Sequence, residues 1–200
     1  GILVAPQTPK PHGTKKNISP FQKTDFVFGA SQKSLEKISS SNSMVLENWV
    51  DESRFNNYSR SEGEYFLYLG RFEPVKNPKR LINAWKGIDQ KLIMVGEGAL
   101  KSEMQNLIEN LNLSDQISLE PEKNDVAALL SKAKALVIPS DREGSPKVLF
   151  ESLFCNVPVL STKCGIMSNF LPTSSLAEIN DESFKDLLYQ WVDNVHELEM

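Results

Sequence analysis

Short apolar runs alternate with amphipathic segments over the last two thirds of the chain. We predict strands at the apolar runs, over 65–69, 92–95, 117–119, 135–138, 157–161 and 176–179. The segments between them repeat apolar residues at helical spacing. We predict helices there, over 78–86, 99–112, 125–134, 146–155 and 183–195. Apolar runs of this kind suit strands that are buried on both faces. The alternation predicts an α/β fold, a Rossmann-like parallel sheet flanked by helices.

The first 60 residues follow a different pattern. Residues 6–24 are rich in Pro, Lys, Thr and Asn, which favours a linker. We predict two strands and a short helix after it, at 25–29, 44–46 and 31–38. The polar stretch 52–63 indicates a domain boundary. We therefore divide the chain into residues 1–60 and a Rossmann-like domain over 61–200.

Composition narrows the class of protein. Of the 200 residues, 40% are hydrophobic and 24% are charged, as in a globular protein. The net charge of −4 implies no general affinity for nucleic acid. No apolar run approaches the ~20 residues of a transmembrane segment.

Cys155 and Cys164 match no metal-ligand spacing, and we interpret both as buried thiols in a reducing, cytoplasmic compartment. Lys79 and Arg80 are interpreted as a solvated pair. Because the chain begins with Gly1, we expect a fragment of a longer protein.

The segment from Glu143 to Glu151 carries the most informative polar residues. Ser145 is predicted to be a helix N-cap, because its hydroxyl can accept from a first-turn N–H, and Pro146 fits the first helical position. A helix that begins at the carboxyl end of a strand is a ready anion site. The two glutamates do not suit a hydrolase: eight residues of helix span roughly 12 Å, whereas glycosidase carboxyls lie about 5–9.5 Å apart. The alternative interpretation is that Lys147 and Glu151 form a solvated i,i+4 pair.

This segment resembles the E-x7-E signature of the family 4 retaining glycosyltransferases, which have the two-domain GT-B fold. Three further blocks resemble the family in their order and spacing. They are Tyr68-Leu69-Gly70-Arg71-Phe72-Glu73-Pro74-Val75-Lys76-Asn77, Val95-Gly96-Glu97-Gly98 and the segment 45–55. The resemblance extends over about residues 25–195. It implies that the chain is one half of a GT-B fold, the donor-binding C-terminal domain.

The resemblance also implies roles for individual residues. Arg71 and Lys76 would contact the donor diphosphate. Glu143 would contact the sugar near its reacting carbon, and Glu151 would hold the ribose hydroxyls. The remaining nucleotide-binding residues would be Gly70, Gly96, Gly98, Gly144 and Ser145. We expect neither a metal nor a cofactor besides the nucleotide sugar, because cationic side chains already face the leaving group and no D-x-D motif occurs.

Several of these positions have a purely structural alternative or depart from the family. Arg71 could instead form a loop salt bridge with Glu73, and Gly96-Glu97-Gly98 could be a plain tight turn. Asn77 and Asn156 stand where the family often has glycine, and we expect both to hold the left-handed conformation. The segment Cys164-Gly165-Ile166 replaces a Gly-Gly pair, which predicts a less open loop near the phosphates.

The function implied by the resemblance is that of a retaining glycosyltransferase. It would move a sugar from a nucleotide-diphosphate sugar to a hydroxyl on a glycan or a lipid-linked acceptor. The chain would be inactive alone, because most of the N-terminal acceptor domain is missing and residues 1–60 hold only a linker and a remnant of it. We expect a cytoplasmic protein that can lie peripherally at the membrane. Two alternatives stay open: a non-catalytic nucleotide-sugar-binding module, and another Rossmann-type nucleotide enzyme. Lys101 at the third position of a glycine fingerprint argues against the latter.

Overall fold

The computed structural model describes residues 2–4, 26–29, 43–45, 50–55 and 63–198. Side chains are described over 50–55 and 63–192. The predicted linker at 6–24 and the predicted short helix at 31–38 lie outside the described residues.

A six-stranded, all-parallel sheet forms the main body of the molecule. Its strands in chain order are β4 (Tyr65–Leu69), β5 (Leu92–Val95), β6 (Ile117–Glu120), β7 (Ala133–Ile138), β8 (Val159–Thr162) and β9 (Leu176–Ala177). Their spatial order is β6-β5-β4-β7-β8-β9. From β4, the next two strands in the sequence, β5 and β6, lie toward one edge of the sheet. The chain then crosses to the other side of β4, where β7, β8 and β9 follow toward the opposite edge. The strand order therefore reverses between β4 and β7, and such a reversal opens a crevice at the carboxyl ends of the two strands.

Five helices connect successive strands of this sheet and a sixth follows β9, and the predicted Rossmann-like architecture is confirmed. They are α1 (Pro78–Ala84), α2 (Lys101–Asn110), α3 (Val126–Ser131), α4 (Lys147–Phe154), α5 (Met167–Phe170) and α6 (Asp181–Leu198). Asn77, with a φ of 44°, precedes α1, and Asn156, with a φ of 55°, follows α4. Both asparagines thus hold the left-handed conformation that was predicted for them.

The ends of several elements differ from the prediction. Strand β8 begins at Val159 and not at Val157, because Pro158 has no N–H to give to the ladder and offers only its carbonyl, to the N–H of Leu136. Helix α6 begins at Asp181, two residues early, because the Asn180 side chain accepts from the N–H of Ser183 at 2.8 Å and caps it.

Strand β4 separates two hydrophobic cores, because successive side chains of a strand point to opposite faces. Phe66 and Tyr68 pack in one core with helices α1, α2 and α6, and Leu67 packs in the other with α3 and α4. Trp85 is fully buried in the first core, edge-to-face against Phe66 with ring centroids 5.2 Å apart. Its predicted core role is confirmed. Trp191 is only half-buried there.

A second, three-stranded parallel sheet lies in the N-terminal part of the chain. Its strands are β1 (Ile2–Val4), β2 (Phe26–Gly29) and β3 (Ser43–Val45), in the order β1-β2-β3. The strands predicted at 25–29 and 44–46 are confirmed within one residue. Strand β1 was not predicted from the sequence.

Candidate functional site

A cavity of about 280 Å³ opens at the carboxyl ends of β4 and β7, where the strand order reverses. Six of the predicted site residues line it: Gly70, Arg71, Lys76, Glu143, Gly144 and Ser145. They come from two loops that are far apart in the sequence, one after β4 and one after β7. Three predicted residues, Glu151, Gly96 and Gly98, do not line it.

Lys76 and Glu143 form an ion pair inside the cavity. The ammonium of Lys76 donates to both carboxylate oxygens of Glu143, at 2.7 and 2.6 Å. The Lys76 side chain is 20% exposed and the Glu143 side chain 6%. Ser140 adds a third hydrogen bond, from its hydroxyl to Glu143 Oε1 at 2.7 Å. The groups expected on the diphosphate and on the sugar are therefore bonded to each other in the structure.

Arg71 forms the loop salt bridge that was the alternative interpretation. Its Nη1 lies 2.6 Å from Glu73 Oε1, and its side chain is 68% exposed. Arg71 still lines the cavity. Its backbone carbonyl accepts from the Tyr68 hydroxyl at 2.9 Å. Burial, with a smaller contribution from Glu143, raises the pKa of Tyr68 far above its ordinary value, so this phenol stays a donor that holds the Arg71 loop.

Helix α4 begins one residue later than expected. It starts at Lys147, so the N-cap position belongs to Pro146 and the N-cap prediction for Ser145 is wrong. Pro146 is itself extended, with a φ of −73° and a ψ of 130°, so the helical backbone begins only after it. The N-cap residue Pro146 gives no side-chain hydrogen bond to the helix. Lys147 and Val148 of the first turn line the cavity, so the N-terminus of the helix opens on it in the arrangement that suits an anion.

Glu151 lies one helical turn after Lys147 in helix α4. It is 3% exposed, and its Oε1 is 3.3 Å from the Nζ of Lys147. The predicted alternative of a solvated pair is half correct: the i,i+4 pair exists, but its carboxylate is buried. Lys147 lines the cavity while Glu151 does not. Of this pair, the lysine and not the carboxylate therefore faces the cavity.

Two predicted nucleotide-binding glycines serve the packing of one loop on another. A Cβ on Gly96 would lie 2.0 Å from the carbonyl oxygen of Gly70, and one on Gly98 would lie 2.4 Å from that of Phe72. The turn after β5 needs glycine because it presses on the backbone of the Arg71 loop. Gly165 likewise packs against the backbone of the Glu143 loop, since a Cβ on it would lie 2.6 Å from the Glu143 carbonyl oxygen.

Sequence reasoning missed a layer of polar residues beneath Glu143. Thr162, at the end of β8, donates to the Ser140 carbonyl at 2.5 Å, and its hydroxyl lies 3.4 Å from the Cys164 sulfur. Burial raises the pKa of Cys164 to about 11. The predicted buried thiol is thus confirmed for Cys164, whereas Cys155 is only half-buried. The signal for this layer was a hydroxyl residue directly at the end of each of two neighbouring apolar strands.

Arg80 is not the solvated residue that the sequence suggested. Its side chain is only 6% exposed, and it pairs with two carboxylates, those of Asp141 and Asp181. Lys79 pairs at the surface with Glu103. The two neighbours on helix α1 point to different sides of it, because adjacent helical residues do not share a face.

An open parallel sheet with a cationic cavity at its reversal point defines the chain as a Rossmann-like α/β domain. The family model of glycosyl transferases group 1 matches residues 50–194. The chain therefore belongs to the glycosyl transferases group 1 family.

Known proteins agree with this assignment. An uncharacterised glycosyltransferase of Methanocaldococcus jannaschii is 33% identical over 124 residues, which are 61% of this chain and 34% of that protein. The N-acetylgalactosamine-N,N'-diacetylbacillosaminyl-diphospho-undecaprenol 4-alpha-N-acetylgalactosaminyltransferase of Campylobacter jejuni is 30% identical over 154 residues, 71% of this chain and 42% of that protein. This chain thus spans well under half the length of either relative.

The fold itself matches solved glycosyltransferases. The crystal structure of Anabaena Alr3699/HepE in complex with UDP superposes with a TM-score of 0.82 at 16% identity. The match covers 97% of this chain and 63% of that one. The architecture is therefore that of one half of a GT-B fold. Among the helices of the described residues, none has the length and apolar character needed to span a membrane.

Proposed function

We propose that this chain is mainly the donor-binding half of a retaining glycosyltransferase. The enzyme moves a sugar from a nucleotide-diphosphate sugar to a hydroxyl on a glycan or a lipid-linked acceptor. One observation carries the proposal: two loops distant in the sequence bring Arg71, Lys76, Glu143 and the start of helix α4 around one cavity. Cationic side chains beside a helix N-terminus suit the two phosphates of such a donor.

Arg71 and Lys76 bind and neutralise the departing diphosphate. The present partner of Arg71 is a half-exposed loop carboxylate, and a surface pair of that kind is worth only about 0–1 kcal/mol. The guanidinium can therefore turn to a phosphate at little cost and grip it with two parallel hydrogen bonds. First-turn N–H groups of α4 add fixed dipoles on the same charge. With these groups in place, transfer needs no metal.

The two glutamates act on the sugar and the ribose. Glu143 contacts the sugar near its reacting carbon once Lys76 has turned to the phosphates. Glu151 holds the ribose hydroxyls after Lys147 has moved away from it, since Lys147 pairs with this carboxylate and itself lines the cavity. Donor binding thus rearranges two lysine–glutamate pairs, Lys76–Glu143 and Lys147–Glu151.

The acceptor side of the proposal is supported by the relatives. The name of the Campylobacter jejuni enzyme describes a diphospho-undecaprenol substrate. A lipid-linked acceptor would place this enzyme at the cytoplasmic membrane surface as a peripheral protein. The acceptor is held by an N-terminal domain that completes the GT-B fold.

Calorimetry with UDP, GDP and ADP tests the donor site. We expect one of the three diphosphates to bind, and Arg71→Ala to weaken it tenfold or more, because a hydrogen bond to a charged group is worth about 1.5–3 kcal/mol. Lys86→Ala is the matched control. Lys86 is an exposed cation just beyond the carboxyl end of helix α1, at the opposite end of that helix from the cavity. Equal affinities of Arg71→Ala and the parent chain would refute the site.

A further inference from the structure

We propose that Asp141, with Arg80 and Asn77, forms a positioning clamp that sets the distance between the Lys76 turn and the Glu143 loop. None of the three lines the cavity among the described residues, so they act on donor binding through the residues that do. This inference rests on the proposed donor site.

The clamp joins two loops that the sheet itself does not join. The parallel register of β4 with β7 ends at the pair Leu67 and Leu136. Beyond it the strands lead into separate loops, one ending in the turn Pro74–Lys76 and the other carrying Glu143. Asp141 reconnects them, because its backbone N–H donates to the Val75 carbonyl at 3.0 Å.

The Asp141 side chain makes a second connection to the same turn. Asn77, the residue after Lys76, donates from its side-chain amide to both carboxylate oxygens of Asp141, at 3.2 Å each. Asn77 holds a φ of 44°, and its own side-chain oxygen accepts from the N–H of Arg80 at 3.3 Å. The left-handed residue that ends the Lys76 turn is therefore tied both to helix α1 and to the β7 loop.

Arg80 anchors Asp141 from below. Its Nη1 lies 2.8 Å from Asp141 Oδ1 and donates to the Pro139 carbonyl at 2.9 Å. Its Nε donates to Asp181 Oδ1 at 2.7 Å, at the start of helix α6. The buried guanidinium thus bonds the loop after β7 at two residues, Pro139 and Asp141, and bonds the start of helix α6 at Asp181. Such a planar, fixed set of donors holds geometry better than a flexible point charge.

Positioning matters here because Lys76 and Glu143 sit on opposite sides of this junction. Their pair is short only while the two loops keep their spacing, and a misplacement of about 1 Å in a reacting group can lower a rate about 100-fold. Asp141 and Asp181 offer a matched pair of variants. Each contributes one carboxylate to the same guanidinium, but only Asp141 bonds the Lys76 turn.

The test compares Asp141→Ala with Asp181→Ala. By calorimetry, we expect Asp141→Ala to weaken the tightest of UDP, GDP and ADP tenfold or more, as the loss of one charged hydrogen bond to the phosphates would, and Asp181→Ala to stay within about twofold of the parent chain. In hydrogen exchange, peptides covering 70–77 and 139–145 should exchange faster in Asp141→Ala alone. Asp141→Asn keeps an acceptor oxygen and should give intermediate values in both measurements.

Equal changes in the two variants, or a lower Tm for Asp141→Ala with parental affinity and parental exchange, would overturn the clamp and leave Asp141 a residue of the fold alone. Failure of the parent chain to bind any of the three diphosphates would instead refute the proposed donor site. In that case the hydrogen-exchange comparison still decides whether Asp141 holds the two loops together.

Discussion

Replacing Glu143 by glutamine should make the chain bind nucleoside diphosphates more tightly than the parent chain does. Lys76 donates to both oxygens of Glu143 at 2.6–2.7 Å, and the pair is largely shielded from water. A phosphate that recruits Lys76 must first draw it away from this carboxylate. Glu143→Gln keeps the shape and the acceptor for Ser140 but removes the charge that holds Lys76.

The size of the effect follows from the hydrogen bonds of Lys76. Glu143 accepts two bonds from the Lys76 ammonium, whereas a glutamine offers one amide oxygen to the same ammonium, and the net contribution of a single hydrogen bond is about 0.5–1.5 kcal/mol. The substitution should therefore lower the cost of releasing Lys76 by about 1 kcal/mol, which corresponds to roughly fivefold tighter binding. The same amount is lost from the free fold, so its Tm should fall by about 2–4 °C.

Calorimetry with the tightest-binding diphosphate, together with thermal unfolding without ligand, measures both changes. Glu103→Gln is the control, because Glu103 also pairs with a lysine at 2.7 Å but at the exposed surface of helix α2. It should change neither quantity appreciably. Binding by Glu143→Gln that is unchanged or weaker than the parent's would show that the carboxylate and the phosphate do not compete for Lys76.

Two further outcomes are expected. Glu151→Gln should reduce the Tm increase produced by the diphosphate, because a ribose ligand loses its charged acceptor, whereas a purely structural Lys147–Glu151 pair predicts the same increase in variant and parent. The 200-residue chain should bind donor without transferring sugar, because in the GT-B arrangement a second domain positions the acceptor hydroxyl, which can supply about 7–11 kcal/mol of the barrier. Adding the N-terminal half should restore transfer with retention at the anomeric carbon; robust transfer by the chain alone, or an inverted product, would contradict these roles.

Local features of the sequence were enough to predict the class of fold and most of the residues around the cavity. An apolar run of four or five residues identifies a strand buried on both faces, so β4, β5 and β7 were placed to within two residues. Asparagine tolerates the left-handed conformation, so the turns at Asn77 and Asn156 could also be predicted. Polar residues directly after such strands fall at the carboxyl edge of the sheet, which is why Arg71 and Glu143 were expected there.

The pairing of these residues depended on contacts between distant segments. Which strand lies beside β4 is decided by packing across the whole sheet, and this choice brings Glu143 to Lys76 across 67 residues of sequence. Burial likewise turned Arg80 from an expected surface charge into the centre of a network. Gly96 and Gly98, after β5, are required because the backbone of the loop after β4 packs against them, and no local sequence pattern shows that contact. Hydrophobic periodicity and turn preferences depend on consecutive residues, so the sequence determines them locally. The partner of each charged side chain depends on which strands pair, and only the tertiary structure brings β4 and β7 side by side.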